Sequence, residues 1–303
     1  MRSQLRRFVQ RLPLESMLGA YLSLRSLDGI AVLCYHAIRR DHVTHGQLPF
    51  AGIHVHTSTF AGHCRTLSRY CHPISLNDWR AYRAGRGTLP ARPVMVTFDD
   101  GYQSVLSEAL PVLETYNIPA MVFVCTEPVL NGEMFWYDAM AYAGDEAGVE
   151  PLKEADHQRW KAAVDAVRRA VPSDDPLAPL TPDGVRTLAR HALIEIGGHT
   201  HRHPILARVP LEAQREEIET NLDTLQKWTG QRPRAFAYPN GRPDVDFTES
   251  TCDVLRSASI EFAFTTEERL AKPDVSPLHV PRFMATDGLT ADELLYRLAR
   301  AWR

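Results

Sequence analysis

Residues 93–101 read PVMVTFDDG, and this stretch decides the fold. Its first six residues, Pro93–Phe98, are apolar or β-branched, which is typical of a buried strand. The run ends abruptly at Asp99 and Asp100, and Gly101 follows. Parallel α/β folds place their chemistry just after the carboxyl ends of strands. The stretch therefore predicts a buried parallel strand with a functional site at its end.

Comparable apolar runs recur along the chain, and helical patterns separate several of them. The predicted strands lie at 29–35, 93–98, 120–125, 193–196, 235–238, 262–265 and 279–283. Apolar residues recur at helical spacing in 58–70, 104–116 and 210–229. Strands that alternate with helices indicate a parallel sheet or barrel, and about seven strand–helix units fit this length. Residues 143–190 are richer in charge and predict a helical insertion rather than an independent domain.

Composition and charge exclude several classes of protein. The chain has 303 residues, of which 44% are hydrophobic, enough for one large core. Its formal net charge of −3 argues against nucleic-acid binding, which favours a basic excess or stripe. The five cysteines include no CxxC pair, a usage typical of reduced, buried thiols. No stretch reaches the roughly 20 apolar residues of a membrane span and no secretory signal is evident, so a cytoplasmic protein is expected.

The first 28 residues form a basic extension ahead of one predicted domain at 29–303. Their arginines accompany a one-sided row of apolar residues, Leu5, Phe8, Val9 and Leu12. Such a basic amphipathic helix either packs on the domain or lies on an anionic membrane surface, and disorder is the third interpretation. A peripheral membrane contact through this helix, and hence a membrane-associated protein, is therefore one of the open alternatives.

The two carboxylates that end the central strand, Asp99 and Asp100, are adjacent in the sequence. Successive side chains of a strand point to opposite faces, so both can reach one site only if the backbone turns between them. Gly101 permits such a turn. One carboxylate could then bind a metal while the other holds a water. An ordinary Asp-Asp-Gly turn is the alternative that these residues alone leave open.

A second polar cluster, GGHTHRHP at 197–204, follows the strand predicted at 193–196. His199 and His203 are four residues apart, so one turn of helix would put both imidazoles on one face. The paired glycines would let the backbone approach a bound group. Neutral imidazole is a common ligand of zinc and similar divalent ions. His201 points elsewhere in this geometry and is expected to be structural or exposed, and a solvated, histidine-rich turn is the alternative for the whole segment.

Together, Asp100, His199 and His203 would give a metal three protein ligands and leave one position for water. Such an open position is typical of catalytic metals and differs from the closed four-ligand sites of structural ones. A bound metal lowers the pKa of its water and polarises a substrate carbonyl. Asp99, free beside it, can act as a general base. Zinc is the expected ion, and Co²⁺, Ni²⁺ and Mn²⁺ are alternatives.

The two motifs resemble those of the polysaccharide deacetylase family, also called the NodB-homology or carbohydrate esterase 4 family. TFDDG stands at 97–101, and the family's H-[S/T]-x-x-H motif stands at 199–203 as HTHRH. The resemblance implies an α/β fold, a distorted (β/α) barrel of about seven parallel strands. It implies a hydrolase that acts on N-acetylated sugars. It also implies the roles described above, with Asp99 as the base and the other three residues as metal ligands.

The family also uses the histidine of an L-x-x-H motif as general acid, normally near the C-terminal end. Here LCYH at 33–36 fits that motif at the end of the first predicted strand. This position resembles the circularly permuted branch of the family, whose poly-N-acetylglucosamine deacetylases begin with such a strand. His36 is therefore assigned as the acid and His279 as the second candidate. A histidine that merely ends a strand is the alternative.

The third family motif, R-x-P-Y, is altered in this chain. In RAFAYPNG at 234–241, Pro-Asn stands in place of Pro-Tyr and Ala237 replaces the arginine. The backbone N–H of Asn240 could still hold an oxyanion, because a main-chain donor does not depend on the side chain. Arg282 is the candidate substitute for the arginine that orients Asp99.

Substrate contacts are assigned to three residues, Trp136, Tyr238 and Arg282. Trp136 belongs to FWYD at 135–138, whose aromatic faces suit sugar rings. Core packing is the alternative explanation for these aromatic residues.

The expected function is metal-dependent removal of N-acetyl groups from an amino-sugar glycan or glycan precursor. Two alternatives stay open. One is a related amidase that acts on a non-acetyl C–N bond, in a ureide or a formylated sugar lipid. The other is a catalytically silent homologue that binds sugar or a partner. The intact Asp99 argues against the silent homologue, because a pure binder does not need a free carboxylate beside the metal.

Overall fold

The computed structural model describes residues 29–42, 50–172 and 174–302. The amphipathic helix predicted for residues 1–28 lies outside these ranges. Among the helices that the three ranges contain, none is both long enough and apolar enough to span a bilayer.

The described residues form ten strands and eleven α-helices, which largely alternate. The strands are β1 (Ala31–Tyr35), β2 (Ile38–Arg39), β3 (Val55–His56), β4 (His72–Pro73), β5 (Pro93–Phe98), β6 (Ala120–Val124), β7 (Ile194–Gly198), β8 (Ala235–Ala237), β9 (Phe262–Phe264) and β10 (Phe283–Met284). The helices are α1 (Thr57–Tyr70), α2 (Leu76–Arg83), α3 (Leu110–Tyr116), α4 (Thr126–Asn131), α5 (Trp136–Tyr142), α6 (Val149–Lys153), α7 (His157–Ala166), α8 (Pro182–Ala189), α9 (Leu211–Thr229), α10 (Glu249–Ser257) and α11 (Ala291–Ala301).

The main sheet is parallel throughout and curls on itself. Its strand order is β10, β1, β5, β6, β7, β8 and β9, and β4 pairs with the first residues of β5. The two outer strands approach each other where Val280 forms a parallel bridge with Phe264 of β9, three residues before β10 pairs with β1. The fold is therefore the predicted α/β class, a distorted (β/α) barrel of seven parallel strands.

The alternation of side chains along β5 separates two cores. Val96 and Phe98 belong to the outer core between the sheet and its helices, whereas Met95 belongs to the core inside the barrel. By the same alternation Thr97 and then Asp99 face the interior. All six residues of β5 are buried, which explains why the strand reads as a continuous apolar run and not as an alternating one.

The last predicted strand, at 279–283, is displaced, because β10 spans Phe283–Met284. Val280 still pairs with β9. Pro281 has no N–H with which to continue a ladder, and the chain crosses there from β9 to β1. Arg282 lies at this crossing, which places it inside the barrel and not in a regular strand.

Residues 143–190, predicted as a helical insertion, contain α6, α7 and α8. The first two pack with α5 around a separate aromatic cluster that includes Trp136 and Trp160. Ala37 and Tyr102 belong to the same cluster, and each follows the end of a barrel strand. The inserted helices therefore cover one side of the barrel face at which the strands end. The boundaries proposed for this insertion stay a prediction.

Two glycines at the end of β7 allow side chains of neighbouring elements to approach the strand. A β-carbon at Gly197 would lie 2.4 Å from the Phe123 ring, and one at Gly198 would lie 2.6 Å from Asn221 Oδ1. The sequence suggested that these glycines admit a bound group. In the structure they admit side chains of the protein itself.

Replacing Gly197 by Ala should lower the free energy of unfolding by about 1–3 kcal/mol, because the new methyl group overlaps Phe123 in a packed interior. Denaturant titration measures this change. Gly288→Ala is the matched control, since a β-carbon there meets no atom within 4 Å. Its free energy of unfolding should stay within about 0.5 kcal/mol of the parent. Equal stability of the two variants would contradict this packing.

Candidate active site

The chain turns sharply at the end of β5. Asp99 keeps the inward direction of its strand, and Asp100 and Gly101 follow with φ values of 71° and 97°. The carbonyl of Asp100 accepts a hydrogen bond from the Cys125 N–H at 2.9 Å. Because Asp100 itself leaves the extended conformation, its carboxylate turns toward the same site as that of Asp99. The turn thus involves Asp100 as well as the predicted glycine.

The two predicted histidine ligands lie on an irregular loop after β7. The predicted helical turn is wrong, because residues 199–203 form no helix and Thr200 and His203 have φ values of 63° and 62°. The imidazoles of His199 and His203 still meet, with ring centroids 4.8 Å apart. The spacing suggested that a helical turn would bring the two imidazoles together. In the structure, a loop with two left-handed residues brings them together instead.

Two buried side chains of α9 hold this loop, and the sequence analysis missed both. Asn221 accepts the His199 N–H at 3.2 Å and donates to the Thr200 carbonyl at 2.6 Å. Glu217 accepts the N–H groups of the next two loop residues at 3.0 and 2.8 Å. Burial raises the pKa of Glu217 to about 7, although these N–H groups oppose the rise. Polar residues four apart on the buried face of a long amphipathic helix were the signal that could have revealed the pair.

Three side chains that could hold a metal converge beside the end of β5. Asp100 Oδ1 lies 3.2 Å from His199 Nε2 and 3.4 Å from His203 Nε2. A ligand atom from each residue lies within 4.8 Å of the other two. His199 Nδ1 contacts the Ala237 carbonyl at 2.7 Å, so this nitrogen carries the proton and Nε2 is left as the ligand atom. One carboxylate and two imidazoles fit zinc or a similar divalent ion with an open coordination position.

The protonation of these groups also suits a cation. Burial alone would raise the pKa of Asp100, but the hydrogen bond from His199 and the nearby imidazoles hold it well below its usual range. Burial and the neighbouring His199 lower the pKa of His203 to about 3, which keeps it in the neutral ligand form. Burial also opposes protonation of His199, but Asp100 raises its pKa. A divalent cation would therefore compete with the proton that Asp100 and His199 share, because both would bind the same two atoms.

Asp99 is held by a buried arginine. Arg282 Nη1 donates to Asp99 Oδ1 at 2.6 Å and Nη2 donates to Oδ2 at 2.7 Å, a bidentate pair. The guanidinium also donates through Nε to the Thr265 carbonyl, and its central carbon lies 5.7 Å and 6.0 Å from the ring centroids of Phe123 and Phe264. Burial raises the pKa of Asp99, but the charge and hydrogen bonds of Arg282 together with the nearby imidazoles lower it below its usual range, which favours the ionised carboxylate. The contact that the sequence predicted for Arg282 is present.

A cavity of about 510 Å³ opens over these groups. Its lining includes the polar residues His36, Asp99, Asp100, His199, His203 and Asn240, the charged residues Glu150, Lys153, Arg242 and Glu268, and the apolar side chains of Phe50, Ile53, Tyr137 and Met284. The cavity therefore combines the candidate chemical groups with an apolar wall, as ligand sites commonly do.

His36 and Asn240 both border this cavity. His36 Nε2 is 4.0 Å from Asp100 Oδ2, and its Nδ1 is buried without a hydrogen-bond partner among the described residues. Asn240 has a φ of 58°, and its carbonyl accepts the Thr266 hydroxyl at 2.7 Å. Within the part of the chain that the structure describes, the Asn240 N–H makes no hydrogen bond. These positions suit the predicted acid and oxyanion donor, and the two roles stay predictions.

The structure contradicts the assignment of Trp136, Tyr238 and Arg282 as substrate-binding residues. Trp136 is only 4% exposed, and its indole N–H donates to the His203 carbonyl at 3.1 Å. Tyr238 is 1% exposed and donates its hydroxyl to a main-chain carbonyl, and Arg282 is fully buried. Core packing, the stated alternative, therefore explains Trp136. The next residue, Tyr137, faces the cavity instead.

The other two histidines considered in the sequence lie outside the cavity lining. His279, the second candidate for the acid, packs against Phe247 with ring centroids 5.4 Å apart. His201 Nδ1 hydrogen-bonds the Thr126 hydroxyl at 2.9 Å, an arrangement that fits its expected structural role. His36 is thus the better placed of the two acid candidates.

Replacing Arg282 by Met should lower the free energy of unfolding by about 3–5 kcal/mol, because the Asp99 carboxylate would stay buried without its counter-charge. The double variant Arg282→Met/Asp99→Asn removes both charges and should recover part of that loss. Urea titration of the parent and both variants measures the effect. A double variant no more stable than the single one would show that the ion pair is not the source of the stability.

Comparison with known proteins agrees with this geometry. The family model described as polysaccharide deacetylase matches residues 86–263. A poly-β-1,6-N-acetyl-D-glucosamine N-deacetylase of Staphylococcus aureus is 22% identical over 222 residues, which is 71% of this chain and 61% of the relative. The chain thus spans less than two thirds of the length of that curated relative.

Two solved structures share the fold over most of their length. The Streptococcus pyogenes deacetylase PplD, in complex with acetate, superposes with a TM-score of 0.65 and 19% identity, covering 90% of this chain and 99% of the other. IcaB from Ammonifex degensii superposes with a TM-score of 0.62 and 22% identity, covering 90% and 97%. The family model covers more than half of the 303 residues. The chain belongs to the polysaccharide deacetylase family.

Proposed function

We propose that this protein removes N-acetyl groups from an amino-sugar glycan or glycan precursor by metal-dependent hydrolysis. The observation that carries the proposal is the carboxylate of Asp99, which is held ionised beside the donors Asp100, His199 and His203. A protein that only bound a metal would not need this additional carboxylate. The name of the Staphylococcus aureus relative supports poly-N-acetylglucosamine, an exopolysaccharide, as the substrate class.

The metal proposed for the site is Zn²⁺, with Co²⁺, Ni²⁺ and Mn²⁺ as alternatives. Asp100, His199 and His203 would hold it. A divalent ion bound there supplies polarisation of the amide carbonyl and a water of lowered pKa. The Ala237 carbonyl orients His199, and Asn221 fixes the loop that carries both histidines. The ligand atoms are therefore positioned by groups that take no part in the reaction.

Asp99 is proposed to accept the proton of the attacking water. Arg282 donates one hydrogen bond to each carboxylate oxygen of Asp99. Asp99 also lines the cavity. Each carboxylate oxygen has two lone pairs, so accepting positions remain toward the cavity. Because Arg282 favours the ionised form, Asp99 is ready to act at neutral pH and readily gives up the proton that it has accepted.

The remaining two steps use two further groups that border the cavity. The N–H of Asn240 would donate to the substrate oxygen as negative charge develops on it. His36 would donate a proton to the amine nitrogen as the C–N bond breaks. The products are acetate and a free amino sugar. The apolar wall formed by Phe50, Tyr137 and Met284 suits the acetyl methyl group and the faces of sugar rings.

A cytoplasmic location, where the substrate would be a glycan precursor, and a peripheral membrane contact through residues 1–28 are proposed as well. The basic amphipathic pattern of that segment supports the membrane contact. Sedimentation of the protein with anionic vesicles tests it.

Replacing Asp99 by Asn should reduce kcat by about 10²- to 10⁴-fold and leave the metal bound, because the amide cannot accept the proton of the water. Turnover and metal content of the same preparation measure the two effects. Asp138→Asn is the matched control, since that carboxyl is also buried, has a pKa raised by burial and lies outside the cavity lining. Substantial turnover by the Asp99 variant would show that another group is the base.

Acetate release from a panel of N-acetylated oligosaccharides, nucleotide-linked sugars and lipid-linked sugars should identify the substrate. Release should disappear after chelation and return when zinc or cobalt is added, because the three donors hold a divalent ion. Formylated sugar lipids and ureides are included to test the related amidase. No acetate release by the metal-loaded protein from any acetylated compound would contradict the proposed reaction.

A further inference from the structure

A second group of potential metal ligands lies outside the cavity described above. Glu249 and Cys252 are three residues apart on α10, so their side chains share one face of the helix. His279 approaches them from the loop that precedes β10. One ligand atom from each residue lies within 4.8 Å of the other two. In the sequence, His279 is the second candidate for the general acid. The proposed reaction does not use it.

Each of the three donors is available to an ion. Cys252 is buried and reduced, and its Sγ lies 3.4 Å from the hydroxyl oxygen of Tyr238. His279 Nδ1 lies 3.4 Å from the Ser276 hydroxyl, and its Nε2 has no hydrogen bond among the described residues. Glu249 uses Oε1 in a pair with the exposed Arg256, and its other oxygen is free of such a pair. A surface pair of this kind holds a side chain weakly.

We propose that Glu249, Cys252 and His279 form a second divalent-metal site, which takes zinc or cobalt. Thiolate, imidazole and carboxylate are the three side-chain donor types that zinc uses, and a water would complete a tetrahedral site. The two negative donors balance the charge of the ion. In such a site the ligand atoms lie about 3.5 Å apart. One ligand atom of each residue lies within 4.8 Å of the others, so binding would require the exposed Glu249 side chain and the partly exposed His279 ring to move closer to Cys252.

Binding replaces the thiol proton of Cys252 by the ion and releases that proton to solvent.

The position of the site suggests what it does. Cys252 contacts Tyr238, which lies two residues before Asn240, and His279 lies three residues before Arg282. An ion shared by α10 and the loop before β10 would join the helix that contacts Tyr238 to the segment that leads into Arg282. The three residues lie outside the lining of the catalytic cavity and take no part in the proposed reaction, so the inference does not rest on the proposed function.

Cobalt titration of the tag-free, metal-depleted full chain tests the site. Two cobalt ions should bind per chain, and one of them should give a near-ultraviolet thiolate-to-cobalt charge-transfer band, which a ligand set of Asp and His cannot produce. Cys252→Ser should abolish the band and leave one cobalt bound. Because that buried thiol also packs in the core, His279→Gln is the second variant, and it should weaken binding of the band-forming ion at least about tenfold.

Cys34→Ser is the discriminating control, because Cys34 lies with His36 and Asp99 in another group of potential ligands. The band should survive in this variant. A band lost in Cys34→Ser but kept in Cys252→Ser would place the thiolate in the catalytic cavity and overturn the proposal. Binding of one cobalt per chain without a thiolate band would overturn it as well.

Discussion

The ion pair between Arg282 and Asp99 lies in the barrel interior, where neither charge would be stable alone. It joins the end of β5 to the crossing between β9 and β10. A buried guanidinium requires a counter-charge and partners for its other donors, and Asp99 and the Thr265 carbonyl supply them. Gly197 belongs to the same arrangement, because the space left by its missing side chain is filled by Phe123, one of the rings beside the guanidinium. The candidate base, its arginine and this glycine therefore form one packing unit.

The site also concentrates unfavourable backbone geometry. Asp100, Thr200, His203 and Asn240 all have left-handed φ values and follow the ends of barrel strands, and all but Thr200 line the cavity. Such positions cost about 1–3 kcal/mol each for residues other than glycine and persist only where the surroundings over-determine them. Asn221 shows how this is done, since it binds the carbonyl of Thr200 and the N–H of the preceding residue from a rigid helix. The packing of the barrel offsets the cost of the turns.

Local patterns in the sequence predicted much of the fold. Strand β5 has the predicted bounds Pro93–Phe98. Its end could be predicted because two carboxylates follow the apolar run directly. The bidentate contact joins Asp99 to Arg282, which lie 183 positions apart in the sequence. Arg282 was predicted only because the third family motif lacks its usual arginine in this chain. The direction of aromatic side chains was harder to predict: Trp136 is buried and Tyr137 faces the cavity. The two residues are adjacent in the sequence, and no periodicity tells which side of a short helix borders a cavity. Histidine spacing likewise does not distinguish a helical turn from a left-handed loop.

The alternation of side chains along β5 limits where the chain can gain or lose residues. An insertion or deletion of one residue within Pro93–Phe98 would exchange the two rows, turning Asp99 toward the helices and Val96 toward the barrel axis. Loss of two residues would preserve the direction but draw the carboxylate about 7 Å along the barrel, away from its arginine. Loops and the helical insertion have no such alternation of side chains to preserve. They can also lengthen at little entropic cost. Changes in length are therefore expected between the strands and not within them.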